Sequence, residues 1–103
     1  MTRTRRFAEN LFGEKLEAVI LFGSYARGDN DSESDFDVMI IVDLDAYMLA
    51  AYNCEFARFG TKLDLEYGAF HSFVLQDKET FEYWKDTIPF FKNVTDEGIV
   101  VNA

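Results

Sequence analysis

Asp35 and Asp37 stand two residues apart at the head of an apolar run, Val38 to Val42. In a strand, residues two apart face the same side, so these carboxylates would point together while Phe36 points to the core. Two parallel carboxylates raise each other's proton affinity unless a cation sits between them. Oxygen ligands of this kind suit Mg2+ or Mn2+, which keep waters and bind substrate phosphates. Such an ion activates an attacking hydroxyl and neutralises triphosphate charge. Upstream, Gly23-Ser24 ends a short apolar run, Val19 to Phe22. A Gly-Ser turn that opens a helix offers backbone N–H groups and a hydroxyl, which is what a phosphate needs. Ser24 also suits the N-cap of a short turn, Tyr25-Ala26-Arg27. Gly28 and the polar run Asp29 to Ser34 make a loop.

Taken singly these signals are weak, because an isolated Asp-x-Asp or Gly-Ser is common and usually solvated. Their combination is specific: strand, Gly-Ser, ten residues, Asp-x-Asp, strand, with Ala26-Arg27-Gly28 inside the spacer. The stretches Leu21 to Gly28 and Ser34 to Val38 resemble the nucleotidyltransferase superfamily that includes DNA polymerase β. They resemble most closely the minimal nucleotidyltransferases of bacteria and archaea. The ending, Pro89 to Val94 with Glu97-Gly98-Ile99, is similar to the C-terminal helix of that family. The resemblance thus covers most of the chain, although only the first half carries chemistry.

The resemblance implies an α+β fold, a small mixed or antiparallel sheet flanked by helices, built as a polymerase β-like core. It implies transfer of a nucleoside monophosphate from ATP or another NTP to a hydroxyl, with pyrophosphate leaving. Carried over to this chain, Gly23 and Ser24 would hold the β- and γ-phosphates, and Asp35 and Asp37 would bind two Mg2+ ions, with Mn2+ as an alternative. Arg27 would touch phosphate, or pair with Asp29 or Glu33. Active relatives add a third carboxylate from a later strand. Here that position falls near His71 or Ser72 if residues 69–76 form the strand, and on Asp64 or Glu66 if residues 62–67 do. The family further implies a small helical HEPN-type toxin as partner, with this chain as antitoxin adding AMP to a tyrosine. Homo-oligomers are a further expectation for a chain without an extra helical domain. With no third carboxylate evident, the alternative is a non-catalytic nucleotide- or protein-binding module that neutralises its partner by occlusion. An aminoglycoside-modifying role is less favoured, because no second domain is present to form an acceptor pocket.

The elements that must position these groups are readable from periodicity. Phe7, Leu11 and Phe12 recur at roughly helical spacing, with Thr2 or Thr4 to cap that helix and Gly13 to end it. Asp43 or Asp45 reads as the N-cap of a segment from Ala46 to Tyr67. There Met48, Tyr52, Phe56, Phe59, Leu63 and Tyr67 predict one long helix, or two joined near Gly60. Leu63, Leu65 and Tyr67 also alternate, so a strand over residues 61–70 competes, but the helix is preferred. On the helix, Asp64 and Glu66 would be solvated. Residues 69–76 read as a strand. Asp77 caps a helix to about Asp86, Pro89 starts another to Asp96, Gly98 stops it, and residues 99–102 form a last strand or tail. His71, the only histidine, would join the strand's hydrogen-bond network or serve as a weak base or metal ligand.

A chain of 103 residues bounds the molecule to one domain, 1–103, and its 49% hydrophobic composition fits a folded globule. A net charge of −9 argues against nucleic-acid binding, where affinity comes from Lys and Arg. Arg3, Arg5 and Arg6 are a local exception, read as a solvated first turn. The single cysteine, Cys54, precludes an internal disulfide, fits a reducing cytoplasm and reads as a core filler. No leader peptide or membrane-spanning run is expected. Eleven Phe residues are generous for this length, and some are expected to serve a protein interface.

Overall fold

The computed structural model describes residues 2–22 and 36–101. Its central strand explains the rest. The run from Val38 to Val42 is buried without alternation, the pattern of a strand covered on both faces. This strand, β2 (Phe36–Val42), lies between β1 (Leu16–Phe22) and β3 (His71–Asp77), with β4 (Ile99–Val100) beyond β1. The β1–β2 and β1–β4 pairs are antiparallel and the β2–β3 pair is parallel, so the sheet is mixed. A register irregularity between Leu16 and Ala18 marks the start of β1.

Helices cover both faces, and each face has its own core. On one face Val19, Leu21, Val38, Ile40 and Val42 pack with Ala8 and Phe12 of α1 (Thr2–Phe12), Leu49 of α2 (Ala46–Ala50) and Phe56 of α3 (Asn53–Tyr67). On the other, Ile20, Met39 and Ile41 pack with Phe81 of α4 (Lys78–Trp84) and with Phe91 and Val94 of α5 (Pro89–Glu97). The expected α+β class with helices flanking a small mixed sheet is therefore what the chain forms.

One boundary differs from the periodicity reading. The break in the segment from Ala46 to Tyr67 falls at Ala51–Tyr52 rather than Gly60. There the Ala51 and Tyr52 N–H groups donate to the Met48 and Leu49 carbonyls, a tight three-residue turn that ends α2. Gly60 lies buried within α3 for a packing reason: a Cβ would stand 3.1 Å from the His71 carbonyl oxygen and 3.2 Å from the Phe73 ring. Met48 and Tyr67 are exposed, and Leu49 takes the buried position instead. Cys54 is exposed in the first turn of α3, not a core filler. Several Phe residues serve the core: Phe7 stacks on Phe59 at 4.2 Å and Phe56 meets Phe73 at 5.6 Å, while Phe70 is exposed.

The caps follow the sequence. Asp45 accepts from the Tyr47 N–H at 2.7 Å. Asp77 accepts from the Thr80 N–H at 2.9 Å and from Gln76 Nε2 at 3.0 Å. Burial alone would push the Asp77 carboxyl up, but the hydrogen bonds from Thr80 and Gln76 outweigh it and hold the carboxyl below its ordinary value. A carboxyl depressed on folding stabilises above its unfolded pKa, and that contribution disappears as pH falls through the folded value. Asp77→Ala is therefore expected to cost about 1 kcal/mol at pH 7. Urea midpoints of parent and variant should converge as pH drops below about 4.

Candidate active site

One row across the sheet holds the described part of the site. Asp37 is the Cα partner of Phe22 on β1 and of Ser72 on β3. Residues in register share a face. Met39 and Ile41 follow Asp37 on that face and pack with Phe81, Phe91 and Val94, so Asp37 is presented on the α4–α5 side. The described chain leaves β1 at Phe22 and re-enters at Phe36, at the same end of the sheet. Gly23, Ser24, Arg27 and Asp35 lie outside the described residues.

The neighbouring row faces the other way. Phe36 is in register with His71, and the two rings stack at 4.8 Å with planes 9° apart. The Phe36 N–H donates to the Phe70 carbonyl at 2.8 Å. His71 thus lies on the face opposite Asp37. Its backbone N–H donates to Asp64 Oδ1 at 2.6 Å, and its Nδ1 lies 2.9 Å from both Asp64 Oδ1 and the Ala69 carbonyl oxygen. Two acceptors around one ring nitrogen require that nitrogen to carry the proton. The Asp64–His71 pair is a clamp on the turn between α3 and β3, closed by Gly68 at φ +70°. His71 thus takes part in a hydrogen-bond network at the start of β3, through its backbone N–H and Nδ1.

Residues 62–67 belong to α3, so the strand placement of Asp64 and Glu66 is set aside. Neither is merely solvated, however. Asp64 binds His71, and Glu66 accepts from the Arg3 guanidinium. That hydrogen bond holds the Glu66 carboxyl below its usual range and raises the Arg3 guanidinium. Arg5 donates to Glu9 at 2.9 Å and to the Val101 carbonyl at 2.8 Å, so α1's arginines include structural ties as well as a solvated face. Beside Asp37, β3 offers the exposed Ser72, a hydroxyl in place of a carboxylate.

The oxygen donors of Asp37 and Ser72 suit a hard divalent cation such as Mg2+ or Mn2+. Among the described residues no group of three His, Cys, Asp or Glu side chains could hold a metal by itself. A cleft of about 440 Å3 between α1 and α3, lined by Arg3, Arg6, Phe7, Asn10, Leu11 and Phe59, lies on the other side of the sheet from Asp37.

Residues 1–94 match the model of the nucleotidyltransferase domain family. The chain belongs to the nucleotidyltransferase family. A relative from Methanocaldococcus jannaschii, provisionally named a protein adenylyltransferase, is 39% identical over 88 residues, covering 84% of this chain and 79% of its own. The nucleotidyltransferase fold is shared with solved structures. A chain from a toxin–antitoxin crystal structure with AMP-PNP superposes with TM-score 0.54 at 18% identity, over 95% of this chain and 69% of that one. A nucleotidyltransferase structure from Sulfolobus solfataricus gives TM-score 0.55 at 19% identity, over 94% and 70%.

Sequence reasoning did not resolve which face each β3 residue takes. The β2–β3 register carries that information, since pairing Asp37 with Ser72 rather than His71 sends the histidine to the opposite core. No helix among the described residues is long and apolar enough to cross a membrane.

Proposed function

We propose that this nucleotidyltransferase moves AMP from ATP to a tyrosine hydroxyl of a small helical HEPN-type toxin, and so acts as its antitoxin. The observation that carries the reading is Asp37, held in register between Phe22 and Ser72 at the end of the sheet where β1 leads into the Gly23-Ser24 sequence. The adenylyltransferase name of the relative and the toxin–antitoxin assembly of the structural neighbour support the acceptor class. Gly23 and Ser24 would hold the β- and γ-phosphates, Arg27 would meet the phosphates, and Asp35 and Asp37 would hold two Mg2+ ions. When bound, those ions supply Lewis-acid stabilisation of the triphosphate. The tyrosine hydroxyl oxygen attacks the α-phosphorus and gives up its proton to water, while the bond to pyrophosphate breaks and pyrophosphate leaves with the bonding electrons. The reaction would run within a single domain, 1–103, in the cytoplasm, which suits one unpaired cysteine.

The test is incubation with Mg2+, each α-labelled NTP in turn, and the HEPN-type protein. The expected result is label on the partner from ATP, lost when Asp35 and Asp37 are both changed to Asn. Unchanged labelling by that double variant would end the catalytic reading. Ser72 beside Asp37, where a carboxylate would complete the site, favours a second reading: neutralisation by occlusion. In that case the double Asn variant would still bind and silence the toxin.

A further inference from the structure

Among the described residues the sheet has two edges, and they end differently. β4 forms one edge with two residues, short enough to offer little to pair with. β3 forms the other with seven residues, paired to β2 along its whole length without a register break. Its sequence, His-Ser-Phe-Val-Leu-Gln-Asp, lacks the Pro and Lys that commonly blunt an edge, and its centre is apolar.

The pairing with β2 fixes which way each backbone group of β3 points. The Phe36 N–H donates to the Phe70 carbonyl, so even-numbered residues turn their N–H and C=O groups toward β2 and odd-numbered residues turn theirs outward. His71 follows this alternation, but its outward groups are covered. Its N–H donates to Asp64 Oδ1, and its carbonyl lies against Gly60 of α3. At Phe73 and Leu75, among the described residues, nothing hydrogen-bonds to the outward groups. An opening of about 340 Å3 reaches this edge, since its lining includes both Ser72 and Phe73, which face opposite sides of the sheet.

This edge is complementary to itself. Laid antiparallel on a second copy about Val74, it sets Phe73 against Leu75, Ser72 against Gln76 and His71 against Asp77. Apolar then meets apolar, polar meets polar, and no carboxylate faces another. The backbone directions fit the same arrangement. Phe73 and Leu75 point outward and form the hydrogen-bonded pairs, while Val74 points inward and forms the non-hydrogen-bonded pair on the axis. An axis at Phe73 or Leu75 would set Val74 against Ser72 or Gln76 and lose the matching.

We propose that the protein forms a two-fold dimer in which β3 pairs antiparallel with β3 of a second copy, joining two four-stranded sheets into one. The row of Phe22, Asp37 and Ser72 then continues into Gln76 of the second copy, so each copy extends the sheet surface beside the other's Asp37. Pairing through β3 needs neither nucleotide nor turnover, so it stands or falls apart from the transfer reading.

Sedimentation equilibrium of the full chain, up to about 0.3 mM, should show a monomer–dimer equilibrium in the micromolar range, because one strand pair is a small interface. Association should tighten severalfold from about 0.05 M to about 0.3 M NaCl, as screening weakens the repulsion between two chains of charge −9. Cross-linking reads the register, in a Cys54→Ser background that removes the exposed native thiol. Val74→Cys should form a disulfide between copies under mild oxidation, since the two Cα atoms on the axis stand about 4.5 Å apart. Gln76→Cys should not, because its counterpart lies roughly 13 Å along the strand. A chain that stays monomeric at the highest concentration, as expected if a strand of another protein covers β3, would overturn the proposal. So would a dimer that weakens as salt rises, no cross-link through Val74→Cys, or equal cross-linking by the two cysteine variants.

Discussion

Asp37→Asn is expected to lower nucleotide transfer by more than about a hundredfold while shifting the melting temperature by no more than about 4 °C. The substitution keeps the shape of the side chain and removes its charge. Asp37 lies at the rim of the sheet, between the half-buried Phe22 and the exposed Ser72, and contributes to neither apolar core. Stability should therefore change by about 0.5 kcal/mol, as for other substitutions away from a core. Activity has no such cushion. A carboxylate that organises triphosphate charge contributes several kcal/mol to the transition state, and 1.36 kcal/mol is tenfold in rate. Initial rates of label transfer, with circular dichroism melts on the same samples, provide the check. A variant retaining half the parent rate would show that the chemistry lies elsewhere.

The largest structural effect should come from Phe56→Ala, at about 3–5 kcal/mol. Phe56 is 2% exposed at the centre of the face covered by α1, α2 and α3. Its ring meets Phe7 edge-on at 5.0 Å, lies parallel to Phe12 at 6.0 Å and meets Phe73 at 5.6 Å. Removing it takes a partner from three rings at once and leaves a void bounded by a helix and a sheet that cannot collapse together. A domain of this size has about 5–15 kcal/mol in total, so the variant should be near its folding threshold. Urea denaturation at 25 °C would measure the loss. Phe56→Leu, which keeps most of the volume, should cost less than half as much. Equal losses for Ala and Leu would mean that ring geometry, rather than filled space, sets the stability here.

Much of this architecture is written in local chemistry. Val38 to Val42 reads as a strand from its apolar run, and Asp45, Asp77 and Pro89 start helices where their side chains or rings suit it. What local chemistry does not carry is the relation between elements. The turn at Ala51–Tyr52 contains no glycine or proline, and the helical spacing of Leu49, Tyr52 and Phe56 survives across it, so periodicity could not reveal it. Gly60 looks like a helix breaker until Phe73 and the His71 carbonyl are found against it. Cys54, two residues from Tyr52 and from Phe56, faces solvent because only Phe56 of its turn points to the sheet. At the site, the spacing of Asp35 and Asp37 signalled paired acids. The facing of Ser72 depends on the register with β3, set by packing far along the chain.

The two separate cores have a consequence for synthesis on the ribosome. By the end of β3 at Asp77, the elements of the first core are complete, save for the late contribution of Val101. The surface bearing Asp37 is still bare at that point, because Phe81, Phe91 and Val94 have not been translated. A nascent chain halted there would expose Ile20, Met39 and Ile41 as a greasy plane, an invitation to aggregate or to recruit a chaperone. The face bearing Asp37 is thus covered last, and a message truncated in its final quarter would yield a half-covered sheet.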